Sequence, residues 1–218
     1  MKIIIVVPVY NEEKHLVNFL KDLTRSSFEI IVVDDGSTDS SYEIIQKFKV
    51  HLLKHKINLG KGSAMKTGAE AAFDLDADAV IFMDADGQHK VKDLPEFPQK
   101  LNEGYEVVLG SRNLGLEVPL VRFLGNKFAS VLINVLFGIY VSDLLCGFRA
   151  LTKKAYKKMN LESQGYGIET EMVIKVKQNK LKYCEVPVAT VYYDKVKGVT
   201  ILDAFSILFN VIFWRFRK

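Results

Sequence analysis

Along residues 1–118 the chain alternates short apolar runs with stretches that repeat at helical spacing. Ile3–Val7, Ile30–Val33, Val50–Leu53, Val80–Met83 and Val107–Leu109 are strand-length and rich in β-branched residues, so they read as buried strands. Between them Glu13–Leu23, Ser40–Phe48, Ser63–Phe73 and Leu94–Leu101 read as helices. Strands alternating with single helices build βαβ units. The expected fold class is therefore α/β, a mostly parallel twisted sheet flanked by helices. No internal repeat, low-complexity tract or linker interrupts the pattern, which predicts one continuous domain.

The pattern changes in the second half, where two long apolar stretches carry narrow polar stripes. Leu120 to Val141 has Arg122, Asn126, Ser130 and Asn134 at four-residue intervals. Thr200 to Arg217 has Asp203, Ser206, Asn210 and Arg217 on one side, and Ile201, Phe205, Leu208, Phe209, Ile212 and Phe216 across a broad apolar face. Neither is a clean span of the ~20 uninterrupted apolar residues that cross a bilayer. Both suit amphipathic helices lying in a membrane interface, where Arg215, Arg217 and Lys218 would meet anionic headgroups. The alternative is that they pack on each other or on a partner subunit.

Composition narrows the class. A chain of 218 residues that is 49% hydrophobic can bury a substantial core, which excludes disorder. Cys146 and Cys184 form neither a disulfide framework nor a metal cluster, which fits a reducing, cytoplasmic compartment. The run at Ile3–Val7 is too short for a secretory leader, and no cleavage site follows it. Charge is split: residues 1–118 hold 14 Lys+Arg against 19 Asp+Glu, and residues 119–218 hold 16 against 7. An acidic half suited to a cation thus precedes a basic half suited to phosphates or an anionic membrane. Nucleic acid is disfavoured as a partner, because the lysines interleave with aliphatic residues rather than aromatic ones.

The candidate chemistry gathers where the strands stop. Ala79–Met83 ends at Asp84-Ala85-Asp86-Gly87-Gln88, two carboxylates spaced i, i+2 with a small residue between them. In open α/β sheets ligands collect beyond the carboxyl ends of the strands. Two hard oxygen ligands with Gln88 as a third suit Mg²⁺ or Mn²⁺ that keeps open positions for diphosphate oxygens. Taken alone, Asp-x-Asp is also an ordinary turn. Three other strand ends are polar too: Tyr10-Asn11-Glu12, where Asn11 or Glu12 would open a helix; Asp34-Asp35-Gly36-Ser37-Thr38-Asp39-Ser40, longer than helix capping requires; and Asn58-Leu59-Gly60-Lys61-Gly62, whose glycines permit close approach of a ligand. Gly60–Thr67 is one residue from a phosphate loop, but Met65 stands where its second glycine must be, so that reading is rejected.

In this order, Val7-Pro8-Val9-Tyr10-Asn11-Glu12, Val33-Asp34-Asp35-Gly36-Ser37, Asn58-x-Gly60-x-Gly62-x-Ala64 and Asp84-Ala85-Asp86-x-Gln88 resemble the nucleotide-sugar half of inverting family 2 glycosyltransferases with the GT-A fold. Further on, Gly110-Ser111-Arg112, Ser142–Arg149, Gly165–Met172 and Glu185–Val188 resemble the branch of dolichol-phosphate mannosyltransferases and polyprenyl-phosphate glucosyltransferases. The resemblance runs from about residue 3 to residue 200. It implies a GT-A catalytic domain over 1–198, with a nucleotide-sugar half at 1–118 and an acceptor half at 119–198, followed by an amphipathic helix at 199–218.

The same resemblance implies residue roles. Pro8, Tyr10, Glu12, Val33 and Asp35 would hold the base and ribose. Asp84, Ala85 and Asp86 would meet the diphosphate, with Asp84, Asp86 and Gln88 on the metal. Arg112 would contact the donor phosphates, where its planar fork suits paired oxygens. Asp143 occupies the family's proposed catalytic acidic position, Arg149 follows in the same motif, and Glu171 matches a further acidic position. For the acceptor phosphate the family uses Arg, Gly, a hydroxyl residue and Lys after the last strand. The matching run is Lys195-Val196-Lys197-Gly198-Val199-Thr200-Ile201, so Lys195, Thr200 and Lys197 would join Arg149 there. Ile201 in place of the Lys leaves the hexose open between GDP-mannose and UDP-glucose types.

The implied activity is metal-dependent inverting transfer of a hexose from a nucleotide-diphosphate sugar to a polyprenyl phosphate, peripherally on the cytoplasmic face of a membrane. A membrane-anchoring partner or a homo-oligomer is an open expectation. A family member acting on a glycan hydroxyl would share the first-half motifs without needing two broad apolar helices. A non-catalytic nucleotide-binding module would not need the Asp84/Asp86 pair.

Overall fold

A computed structural model of the chain describes residues 1–112, 120–189 and 211, with side chains from residue 124 onward in the helix that starts at 120. Its centre is a seven-stranded sheet formed by β1 (Ile3–Val9), β2 (Glu29–Asp34), β3 (His51–Lys54), β4 (Ala79–Phe82), β5 (Val107–Arg112), β6 (Arg149–Thr152) and β7 (Tyr183–Val188), in the order β3-β2-β1-β4-β6-β5-β7. Every neighbouring pair is parallel except the two made by β6, which runs against both β4 and β5. The helices are α1 (Glu13–Leu23), α2 (Ser41–Ile45), α3 (Lys61–Asp74), α4 (Glu96–Asn102), α5 (Leu120–Phe137), α6 (Lys153–Met159) and α7 (Ile168–Gln178).

The expected α/β sheet and its first five strands are all present, each shifted by no more than a few residues at its ends. Ile4, Val6, Ile31 and Val33 point to one face, and Ile5, Val7, Ile30 and Val32 to the other. Both faces are dry, because α3 covers the first and α1 the second, which is why these strands are apolar at every position rather than alternating. Each such side chain taken from water contributes about 1.5–3 kcal/mol, and two continuous layers of them hold the sheet between the helices.

Pro8 opens that edge. In β1, Val6 bonds towards β4 and Val9 towards β2, as Met83 N–H donates to Val6 C=O at 3.1 Å and Asp35 N–H to Val9 C=O at 2.8 Å. Pro8 therefore faces β4 with no N–H to donate, and the β1–β4 ladder ends at Val6–Phe82. β4 leaves the ladder while β1 stays paired with β2 as far as Val9, and the chain turns out at Asp84.

The reversed strand was not expected from the sequence. Because β6 is antiparallel, its first residue, Arg149, lies opposite Phe82 of β4 and Leu109 of β5. The loop that precedes it thus arrives at the same edge as the carboxyl ends of the other strands.

Candidate active site

Three loops at this edge are laced together by the polar run after β2. Asn11, in a left-handed conformation at φ 54°, accepts from Thr38 N–H at 2.8 Å through its side chain and donates its own N–H to Ser37 Oγ at 3.0 Å. Glu12 N–H donates to Ser41 Oγ at 2.8 Å, and Ser40 N–H to Glu13 Oε2 at 3.1 Å. Asp35 takes the third loop: its oxygens accept Leu59 N–H at 3.0 Å and Gly60 N–H at 2.8 Å, and its Oδ1 meets His55 Nδ1 at 2.7 Å. The polar excess after β2 is a framework joining its neighbours, which explains a run longer than one helix cap.

Several expected donor-site residues belong to that framework. Asp35 is buried and bonded to the chain's own backbone. Val33, expected at the base or ribose, has its side chain fully buried in the core beside Gly68 of α3. Glu12 holds the N-cap position just before α1, although its side chain does not cap the helix. Tyr10 stands at the edge, 44% exposed. The glycines of the third loop admit the chain itself: an added Cβ would lie 2.6 Å from Gln164 C=O at Gly60 and 2.6 Å from Ser163 C=O at Gly62. The close approach foreseen there is made by residues 163–164, whose position is set by Glu171. Its carboxylate accepts Glu162 and Ser163 N–H, each at 2.8 Å.

Beyond β4 the two carboxylates differ in environment. Asp84 Oδ1 is 2.6 Å from Lys61 Nζ, and Oδ2 is 3.7 Å from His89 Nε2. Lys61 Nζ also lies 2.7 Å from Glu169 Oε1. Burial raises the Asp84 carboxyl, but Lys61 and His89 outweigh it and hold the group well below the usual range. Asp86 Oδ1 accepts Gln88 N–H at 2.9 Å; burial and then the charge of Asp84 push its carboxyl up. Ala85 is buried between them. Gly147 lies directly against Asp84, where an added Cβ would sit 2.7 Å from the carboxyl carbon.

Across that contact is a second charged pair. Arg112 Nε–H donates to Asp143 Oδ2 at 2.6 Å and its terminal NH2 group to Oδ1 at 2.9 Å, a fork-to-carboxylate pairing. Arg112 N–H and Asn126 Nδ2 add bonds to the same carboxylate at 3.1 and 2.9 Å. Burial opposes ionisation of Asp143, yet Arg112 dominates and keeps its carboxyl lowered. Such a group is a poor proton acceptor near neutrality.

Arg149, expected at the acceptor phosphate, is engaged with the chain's own backbone. It is fully buried, and its guanidinium donates to the carbonyls of Cys146 at 2.8 Å, Leu144 at 2.6 Å and Glu169 at 2.6 Å. Those bonds make it a strut that fixes the loop before β6 to the start of α7. Lys195, Lys197 and Thr200 lie outside the described residues.

Lys61 and Glu169 are site residues that the sequence reading passed over. The signal was present: Lys61 sits between two glycines at the first turn of α3, where the helix dipole disfavours a cation. Glu169 stands in the quoted Gly165–Met172 motif.

α5 borders the site. Of the polar stripe foreseen on it, Asn126 and Ser130 are buried and Asn134 is exposed, while Leu124, Phe128, Val131 and Val135 are 51–75% exposed; the Arg122 side chain lies outside the described residues. The helix stops at Gly138, whose φ is 69° and whose N–H closes onto Asn134 C=O at 2.8 Å. No helix among the described residues is long and apolar enough to cross a membrane. Of the expected C-terminal helix only Val211 is described, and it is helical and buried.

The sequence matches the family described as "Glycosyl transferase family 2" over residues 4–159. The chain belongs to that family. It is a glycosyltransferase with relatives in the polyprenyl-phosphate branch. It is 37% identical to an uncharacterised protein of Methanocaldococcus jannaschii, over 97% of this chain and 91% of that one. It is 33% identical to the UDP-N-acetylglucosamine–dolichyl-phosphate N-acetylglucosaminyltransferase of Methanococcus voltae, over 99% and 97%. It is also 28% identical to the dolichol-phosphate mannosyltransferase of Pyrococcus furiosus, over 98% of this chain and 64% of that one. Among solved structures, glucosyl-3-phosphoglycerate synthase from Mycobacterium tuberculosis, in complex with Mn²⁺, UDP and its glucosylated product, superposes with a TM-score of 0.77. At 20% identity, over 98% of this chain and 79% of that one, it shares the GT-A fold.

Proposed function

We propose that this glycosyltransferase moves a hexose from a nucleotide-diphosphate sugar to a polyprenyl phosphate with inversion at the anomeric carbon, at a membrane surface. The observation that carries the lipid acceptor is the two-sidedness of α5. Its inner face touches the site through Asn126 and Asp143, and its outer face offers Leu124, Phe128, Val131 and Val135 to the surroundings. A glycan acceptor gives no reason for an outward apolar stripe on the helix that buttresses the reacting centre. The names of the relatives and the basic charge of residues 119–218 support the same acceptor.

The donor reading rests on the first half, residues 1–118, with residues 119–198 serving the acceptor. Tyr10 and the backbone near Pro8 and Glu12 border the place for the nucleoside. Asp84, Asp86 and Gln88 fit Mg²⁺ or Mn²⁺. These are hard oxygen ligands of the kind such a cation prefers while it keeps open positions for phosphate oxygens. Burial and then the Asp84 charge raise Asp86, and a bound cation would relieve both pressures. When bound, the metal would neutralise charge on the departing diphosphate.

The protein's own part is positioning. A phosphate monoester has a second pKa of about 6 and is mostly dianionic near neutrality, so it attacks without a base. Its oxygen bonds to the anomeric carbon from the face opposite the leaving group, while the carbon–oxygen bond to the diphosphate breaks and the nucleoside diphosphate leaves with the electron pair. An α-linked donor gives a β-linked product. Asp143, ionised and fully engaged, aims the Arg112 guanidinium at the phosphates rather than accepting a proton. Lys195, Lys197 and Thr200 are proposed for the acceptor phosphate on the resemblance alone.

The test supplies purified protein with Mn²⁺ or Mg²⁺, radiolabelled GDP-mannose, UDP-glucose and UDP-N-acetylglucosamine, and a short polyprenyl phosphate. Label entering the organic phase from one donor, lost in Asp86→Ala, is the expected result. Label passing only to water or to a soluble acceptor overturns the lipid reading.

A further inference from the structure

Lys61 is placed against the preference of its own helix. It is the first residue of α3, where the partial positive charge of the helix end repels an ammonium. The glycines on both sides are pressed against residues 163–164, so the backbone that carries it is fixed. Its side chain is only 16% exposed and reaches two carboxylates on different elements, Asp84 after β4 and Glu169 on α7. One of these two also belongs to the proposed metal set. Asp84 has little room to turn away, because Gly147 lies against its carboxyl group and His89 stands by its second oxygen. A divalent cation held by Asp84 would therefore meet this ammonium at the same carboxylate.

We propose that Lys61 is a tethered counter-ion of the donor site. It holds Asp84 in register, and when a metal is bound it would loosen from Asp84 and keep its charge balanced on Glu169. The inference rests on the metal reading above and deepens it, since it makes metal affinity a quantity set by the Lys61–Glu169 pair. Lys61 is a positioning residue in this account, and Glu169 is the place where its charge waits.

The account gives opposite signs for two neighbouring substitutions. Lys61→Gln removes the competitor and should tighten binding of Mn²⁺ to the donor-free protein by roughly tenfold, given one unit charge at short range in a poorly solvated site. Glu169→Gln removes the resting place, fastens Lys61 to Asp84, and should weaken Mn²⁺ by a similar factor. Free Mn²⁺ measured by electron paramagnetic resonance during titration of each protein reads this without any turnover. A role for Lys61 in merely holding the fold together would weaken binding in both variants. Shifts in the same direction, or no shift in Lys61→Gln, overturn the proposal while leaving wild-type metal binding intact. Wild-type protein that takes up no Mn²⁺ overturns the metal reading itself and this inference with it.

Discussion

At the scale of single residues, the charged side chains of the site divide by what they face. Asp143 occupies the catalytic acidic position that the resemblance implies, and four hydrogen bonds converge on it while Arg112 holds its carboxyl low. A carboxyl lowered by folding contributes stability that is complete above its unfolded value, about 3.9, and is lost as the pH falls through the folded value. Asp143→Asn should therefore cost about 3 kcal/mol at pH 7, with the gap to wild type narrowing below pH 4, as measured by urea unfolding across pH. If Asp143 acts as a base instead, the Asn variant will lose turnover in a pH-dependent way between pH 5 and 8 while its stability curve stays parallel to wild type. Arg149 is expected at a phosphate from its motif, and here its guanidinium satisfies three buried backbone carbonyls. Arg149→Lys keeps the charge but loses the fork, and should destabilise by about 2–4 kcal/mol because buried carbonyls are left unpaired. Cys146 is pushed up to about 12, by burial first and then by the Asp143 charge. It should resist a thiol reagent at pH 8 until the protein is unfolded, when both cysteines react.

At the scale of elements, the strands and the places where they stop were legible, because an apolar run that ends at a carboxylate is a local signal. Ala79–Met83 followed by Asp84 marks a sheet edge without any knowledge of the partners. What the loops do to one another was not legible. Asp35 reaching Gly60, or Glu171 shaping the turn that closes on Gly62, is contact between residues 25 to more than 100 positions apart. Pattern along the chain carries no such information. Glycine was read as room for a ligand, and at Gly60 and Gly62 the room is filled by the 163–164 backbone. Gly62→Ala should cost about 1–3 kcal/mol, since carbonyl oxygens cannot give way as a flexible side-chain tip can. Gly147→Ala is expected to act on chemistry more than on stability. Its methyl group would displace the Asp84 carboxylate, and an ångström of misplacement costs about 10²-fold in rate. The check is kcat in the lipid-labelling assay beside a thermal melt; an unchanged kcat would show that the Asp84 position is not limiting.

At the scale of the whole molecule, the outward face of α5 sets how the protein meets its surroundings. Phe128 and Val135 are 68% and 75% exposed, and each apolar side chain of this size gains about 1.5–3 kcal/mol on leaving water. Phe128→Glu with Val135→Glu should abolish co-sedimentation with anionic vesicles while leaving the melting temperature near wild type. Retention on vesicles would mean that this face does not touch lipid. The apolar stripe was visible in the sequence, but its direction was not, because a stripe of Asn and Ser reads equally well as facing water or facing Asp143. The reversed strand has a consequence for how the sheet is made. β6 occupies the slot between β4 and β5 although it is synthesised after both. Until residue 152 has emerged, the first four strands can pair in order, but β4 keeps a bare apolar margin and β5 has no neighbour to join. Synthesis halted between residues 112 and 149 would leave a half-sheet with an open edge, the kind of species that pairs with other chains rather than waiting for its own.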